Sequence, residues 1–171
     1  MEQMEQYIRN IPDFPRPGIQ FKDITPLLGN NGATEICIQK FIDLLEGQKI
    51  DKVVAIESRG FFFGILLAQR LKVGFVPIRK PGKLPYNILM ESYNLEYGMD
   101  SLEIHEDAIK KGDKVLLHDD VLATGGTARA ASNLIEKLGG EIVQCNFLIE
   151  LESLDGIQKL QNQTVRSLLK Y

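Results

Sequence analysis

The sequence predicts an α/β domain with a mainly parallel central sheet flanked by helices. Two observations carry that expectation: a strand–helix–strand succession over residues 52–78, and a second over residues 114–149. Strand, helix and strand in that order imply parallel neighbours joined by a right-handed crossover. A third is the Gly-, Pro-, Tyr- and Lys-rich stretch between the two units, which reads as a loop connecting them.

Residues 4–10 suit a short helix. Ile11 to Gly18 (IPDFPRPG) then holds three prolines and a glycine in eight residues, which excludes regular helix and central strand. From Thr34 to Glu46, Cys37, Phe41, Leu44 and Leu45 recur at the helical period, with Thr34 as N-cap and Gly47 as the stop. Lys52 to Glu57 (KVVAIE) is a β-branched run of the kind that forms a buried strand. Gly60 to Leu71 follows as an apolar helix, and Gly74 to Ile78 as a further strand. Arg79 to Asp107 is expected to hold a mobile loop and one antiparallel excursion, such as Ser101 to His105; long irregular segments inside compact domains tend to be functional. Lys114 to Asp119, a helix from about Thr127 to Leu138 and a strand from Glu141 to Ile149 complete the pattern.

The chain has 171 residues, 44% of them hydrophobic, and a net charge of −3. That is enough apolar content for one domain with a real core, and the charge argues against a basic face that grips long nucleic acid. The apolar run from Phe61 to Ala68 is too short to span a bilayer, and the charged first ten residues have no apolar signal core. Cys37 and Cys145 stand at no metal-like spacing, so a cytoplasmic chain without disulfides or zinc is expected.

The strongest chemistry lies in Val115 to Thr127 (VLLHDDVLATGGT), where a hydrophobic strand runs through two adjacent acids into a small-residue loop that opens a helix. Ligands of open α/β sheets bind at the carboxyl ends of strands. Thr124-Gly125-Gly126-Thr127 offers hydroxyls and unobstructed amides beside a helix N-terminus, which suits a phosphate monoester. No Lys follows the glycines at P-loop spacing, and the loop does not spell GxGxxG. The acids repel a phosphate unless they bind something else, and sugar hydroxyls or a phosphate-bound Mg²⁺ fit them. The parts together describe a ribose 5-phosphate pocket.

That string resembles the phosphoribosyl-diphosphate motif of type I phosphoribosyltransferases. Five further blocks resemble the adenine-using branch of the family: Pro12 to Leu28, Ala55 to Phe61, Arg79 to Pro85, Glu96 to Gly98 with Leu102 to Ala108, and Phe147 to Leu154. The resemblance implies transfer of ribose 5-phosphate from phosphoribosyl diphosphate to N9 of adenine with Mg²⁺ as cofactor. It also implies one domain over residues 1–171: a core of about 34–149, a hood from about 1–33 plus the segment after about 150, and a flexible loop of about 79–98.

Residue by residue, the resemblance implies that Ala123, Thr124, Gly125, Gly126 and Thr127 cradle the 5-phosphate while Asp119 and Asp120 hold the ribose hydroxyls, directly or through the metal's water shell. Arg59, Arg79, Lys80 and Lys83 supply cations for the diphosphate. Arg79 to Lys83 would serve a site shared with a neighbouring subunit, hence a homodimer. Phe21 would stack on adenine, the main chain of Gln20 and Lys22 would read its edge, and Leu154 would pack on the other face. Glu96 would donate a proton or hydrogen bond at N7 as N9 attacks, and Tyr97 would order the closed loop near the ribose.

His118 departs from the family pattern, standing where relatives usually carry an apolar residue. Strand alternation points it away from Asp119, as a satisfied core histidine with no catalytic part. Near the site it would still make activity depend on pH around its ordinary pKa of about 6.5. Two rival readings differ in class or base. A non-catalytic phosphoribosyl-diphosphate sensor would be expected to carry a basic DNA-binding extension, and the chain has no basic excess. An oxopurine enzyme would need a side-chain donor for O6, for which only Lys22 is near.

Overall fold

The computed structural model describes residues 2–94 and 99–171. After α1 (Glu2–Glu5), strands β1 (Arg9–Ile11) and β2 (Phe21–Asp23) pair antiparallel as a small ribbon, followed by α2 (Thr25–Leu28) and α3 (Asn31–Asp43). Then come β3 (Lys52–Ile56), α4 (Gly60–Leu71) and β4 (Gly74–Ile78), an antiparallel ribbon of β5 (Ile88–Asn94) and β6 (Met99–His105), and β7 (Lys114–Leu122), α5 (Gly126–Lys137) and β8 (Glu141–Glu150). Two short 3₁₀ turns, Glu152–Leu154 and Gly156–Leu160, lead into β9 (Val165–Lys170).

Strands β4, β3, β7, β8 and β9 lie in that order in one sheet, every neighbouring pair parallel. Alternation along the buried strands fills both faces. Val53 and Leu116 face one core with Phe41 of α3 and Phe63 and Leu67 of α4, while Val54 and Leu117 face another with Ala131, Leu134 and Ile135 of α5 and Leu102 and Ile104 of β6.

The structure differs from the sequence expectation where partners intervene. Arg9 and Asn10 are strand rather than helix because they pair with Asp23 and Lys22 across the ribbon. Helix α3 begins earlier than Thr34: the Asn30 side chain accepts from the Ala33 amide at 2.9 Å and caps it, while the Thr34 hydroxyl donates to the Leu27 carbonyl. The antiparallel excursion begins at Ile88, and β9, which the sequence reading did not assign, forms the sheet edge. Glu96 and Tyr97 lie outside the described residues.

Helix α4 packs onto β3 through a small-residue contact. A Cβ at Gly64 would stand 2.6 Å from the Ala55 Cβ and 3.1 Å from the Phe75 ring. Overpacking of this kind costs about 1–3 kcal/mol, against less than about 1 kcal/mol returned by the better helix propensity of Ala. Gly64→Ala is therefore expected to lower the urea midpoint, with a net loss of about 1–2 kcal/mol.

Candidate active site

The exits of β3, β4 and β7 converge at one end of the sheet, because parallel strands place all their carboxyl ends together. From β7 the chain passes through Ala123 and Thr124 to Gly125, whose φ of 75° is open to glycine at little cost, and enters α5. Among the described residues no side chain caps that helix, which leaves its first-turn amides for an anion. Asp119, Ala123, Thr124, Gly125 and Thr127 line a recess of about 70 Å³ at this point.

The two acids have different environments. Asp120 is buried, and both Nε and Nη2 of Arg59 donate to its Oδ2. Asp119 accepts the Asp120 amide at 2.9 Å and forms no ion pair among the described residues. Burial, and then the neighbouring Asp120 carboxylate, push the Asp119 pKa well above the ordinary carboxylate range. Gly60 explains the tightness: a Cβ there would lie 2.8 Å from Asp119 Oδ1 and 3.2 Å from its Cα, so glycine is what lets α4 begin against β7.

Each of the four expected cations sits on a carboxylate. Besides Arg59 on Asp120, Arg79 Nε donates to Glu57 at 3.0 Å, Lys83 donates to the other Glu57 oxygen, and Lys80 donates to Asp100. Glu57 also accepts the Lys80 amide at 2.8 Å, and Glu103 accepts the Gly82 amide at 3.0 Å. The segment from Arg79 to Lys83 is therefore folded around three acids, Glu57, Asp100 and Glu103. Burial alone would raise the Glu57 pKa, but the donors from Lys83, Lys80 and Arg79 outweigh it and hold it at about 2. Lys80 Nζ also donates to the Tyr93 hydroxyl at 2.9 Å, and the Thr127 hydroxyl lies 3.3 Å from that same oxygen. Tyr93 thus joins the β5–β6 ribbon to the start of α5.

The expected base-binding residues divide between two faces of β2. Phe21 packs edge-on against Phe14 with centroids 5.1 Å apart, and the Arg59 guanidinium lies 4.8 Å from its ring, on the side of Asp120. Arg59 Nη1 also donates to the Lys22 carbonyl at 3.3 Å, so one side chain ties the ribbon to the acidic pair. Gln20, Lys22 and Leu154 meet instead around a separate recess of about 400 Å³, together with Tyr171. The Lys22 ammonium donates to Asn10 and stands 3.4 Å from the centre of the Tyr171 ring.

Sequence reasoning missed Glu57, Gly60, Tyr93 and Glu103. Glu57 and Gly60 flank Arg59 in the block Ala55 to Phe61, so their place at a strand exit was the available signal. Tyr93 and Glu103 act through pairings that no local pattern marks.

His118 lies in the core between Phe41 and Phe63, its Nδ1 bonded to Asn146 Oδ1 at 2.7 Å. It is only half satisfied, since Nε2 has no hydrogen-bond partner among the described residues. Burial pushes its pKa down to about 4, which corrects the expected pH dependence near 6.5.

With this geometry in place, the comparisons assign the class: the chain belongs to the phosphoribosyltransferase family, whose phosphoribosyl transferase domain matches residues 28–159. Within it the similarity narrows. The chain is 64% identical to adenine phosphoribosyltransferase of Flavobacterium johnsoniae, over 98% of this chain and 99% of that protein. The crystal structure of adenine phosphoribosyltransferase from Thermoanaerobacter pseudethanolicus superposes with a TM-score of 0.97 at 52% identity, covering 99% of both chains. The Saccharomyces cerevisiae enzyme, complexed with an imino-altritol bisphosphate and adenine, gives 0.94 at 42% identity over 98% of this chain and 97% of that one.

The His118 environment sets a pH effect on stability. With a folded pKa of about 4 and an unfolded value of about 6.5, the unfolded chain binds more protons between those limits. This contribution is complete above about pH 6.5 and is lost as pH falls toward 4. Urea titrations at pH 6.5 and pH 5 are expected to show a loss of about 2 kcal/mol from this group. His118→Val should remove that part of the difference.

Proposed function

We propose that this chain transfers the ribose 5-phosphate unit of phosphoribosyl diphosphate to N9 of adenine, giving AMP and diphosphate in purine salvage. The observation that carries the reading is the run from Asp119 to Thr127, which joins an acidic pair to an uncapped helix start beside Arg59. The relatives named as adenine phosphoribosyltransferases, alike over the whole chain, support the choice of base.

In this reaction the bond from C1 of the ribose to the diphosphate oxygen breaks, N9 bonds to C1, and the N9 proton is lost. Positive charge builds on the ribose ring while negative charge builds on the departing diphosphate, so the protein acts mainly by positioning and electrostatics. Ala123 to Thr127 hold the 5-phosphate by amides and hydroxyls, and Asp119 and Asp120 take the ribose hydroxyls. Arg59, Arg79, Lys80 and Lys83 meet the diphosphate by exchanging their present carboxylate partners for phosphate oxygens. Phe21 stacks on the base beside Arg59 and the Gln20 and Lys22 main chain reads its edge; Leu154, which lines the neighbouring recess, would turn toward the base to close its other side. Glu96 serves N7, with Tyr97 beside it.

Hard oxygen donors suit Mg²⁺, and Asp119 and Asp120 would hold it through water. Among the described residues no group of three acids, His or Cys could hold a metal, and substrate oxygens would share the ion with the two aspartates. When bound, the ion neutralises the leaving diphosphate. The chain acts as a homodimer in which Arg79 to Lys83 serve the neighbouring site. No helix among the described residues is long and apolar enough to cross a membrane.

Diphosphate release measured with phosphoribosyl diphosphate, Mg²⁺ and each purine in turn should show turnover with adenine. Turnover with hypoxanthine or guanine alone would overturn the choice of base, and none with any base would favour a sensor. Phe21→Ala should raise the adenine KM by about 10- to 100-fold, the worth of one base–aromatic stack, with a smaller change for phosphoribosyl diphosphate. Mixing inactive Arg79→Ala and Asp120→Asn chains should restore activity in mixed dimers; a mixture that stays inactive would refute the shared site.

A further inference from the structure

The phosphate loop is closed from behind by a second stretch of backbone. After β8 the two 3₁₀ turns meet at Asp155, which is left-handed with φ 55°, and Gly156 follows, buried. A Cβ at Gly156 would stand 2.1 Å from the Ala123 carbonyl oxygen and 2.8 Å from the Gly125 nitrogen. Reciprocally, a Cβ at Gly125 would stand 2.2 Å from the Gly156 oxygen. Two main chains touch here with no side chain between them, and one of them is the expected 5-phosphate cradle.

The same turn is anchored on both flanks. Leu160 is fully buried in the core that holds α5. The Glu152 amide donates to the Tyr171 carbonyl at 2.8 Å, and the Tyr171 amide to the Glu150 carbonyl at 2.9 Å. The Tyr171 ring in turn carries the Lys22 ammonium. Leu154, two residues before Gly156, therefore rides on a segment held by Tyr171, by Leu160 and by contact with the phosphate loop. A close-packed contact of this kind transmits displacement, because neither backbone has free space to absorb it.

We propose that Gly156 is a positioning residue through which the turn bearing Leu154 and the loop Ala123–Gly125 set one another's place, so that filling the base side favours phosphate binding and the reverse. This rests on the proposed function, which puts adenine against Leu154 and the 5-phosphate in that loop.

The test is calorimetric titration of adenine and of ribose 5-phosphate, each alone and with the other saturating. Linkage requires the mutual enhancement to be equal from both directions, and about fivefold or more is expected for the native chain. Gly156→Ala, whose Cβ must displace the loop, the turn or both, should weaken ribose 5-phosphate by about tenfold and reduce the enhancement below about twofold. Asp155→Gly is the second variant: glycine accepts the left-handed φ without clash and loosens the turn. It should keep each single affinity and the melting temperature near native while reducing the enhancement.

Native protein that binds both ligands without enhancement overturns the inference. So does Gly156→Ala with native ribose 5-phosphate affinity. Loss of both ligands in Gly156→Ala together with full enhancement in Asp155→Gly would leave Gly156 a purely structural part and also overturn it. Native chain that binds neither ligand refutes the functional reading itself, and this inference with it; the other outcomes leave that reading standing.

Discussion

Parallel pairing of β3 with β7, in the register Lys52↔Val115 through Ala55↔His118, brings the exits of two strands side by side, and the site is built from what those exits carry. Arg59 and Gly60 follow β3 beside Asp119 and Asp120, which come directly after the stretch of β7 that pairs with β3. Gly60 contributes the absence of a side chain, which lets the first turn of α4 sit against Asp119. Arg59 contributes a planar fork that reaches Asp120, the Lys22 carbonyl and the Phe21 ring together, a geometry that a lysine ammonium does not reproduce. A register slip would separate these groups and turn the alternating faces of the strand out of their cores.

The electrostatics follow from that arrangement. In a protein with a net charge of −3 the four cations proposed for the diphosphate are held locally, each on a carboxylate. Glu57 gathers Arg79, Lys83 and the Lys80 amide, and its low pKa records how strongly they favour its charged form. The opposite shift at Asp119 records burial first and then the Asp120 carboxylate beside it. Net charge therefore says little about phosphate binding, which depends on amides and a few placed side chains.

Next to the acids the sheet buries two polar side chains, His118 and Asn146. The buried His118–Asn146 pair lies between aromatic rings, directly before Asp119 in the chain. Its depressed pKa keeps the ring neutral at physiological pH, so it serves as packing with one hydrogen bond rather than as a charge. On the far side of the loop, Gly125 and Gly156 meet without side chains. The Ala123–Gly125 loop, the proposed 5-phosphate cradle, thus has a second backbone packed directly against it.

The sequence by itself determined the α/β class, both strand–helix–strand units and the acidic strand leading into a glycine loop, because each is a local pattern of burial period and backbone freedom. It also marked Arg59, Arg79, Lys80 and Lys83 as cations near strand exits. Only the tertiary structure decided their partners: Glu57 for Arg79 and Lys83, Asp100 for Lys80, Asp120 for Arg59. Pairing across 20 to 61 residues depends on sheet order and register, which no local window contains. The same holds for Phe21 and Lys22, adjacent in sequence and sent by the pleat of β2 to opposite faces, and for Gly156, an unremarkable glycine until the fold lays it against Ala123 and Gly125.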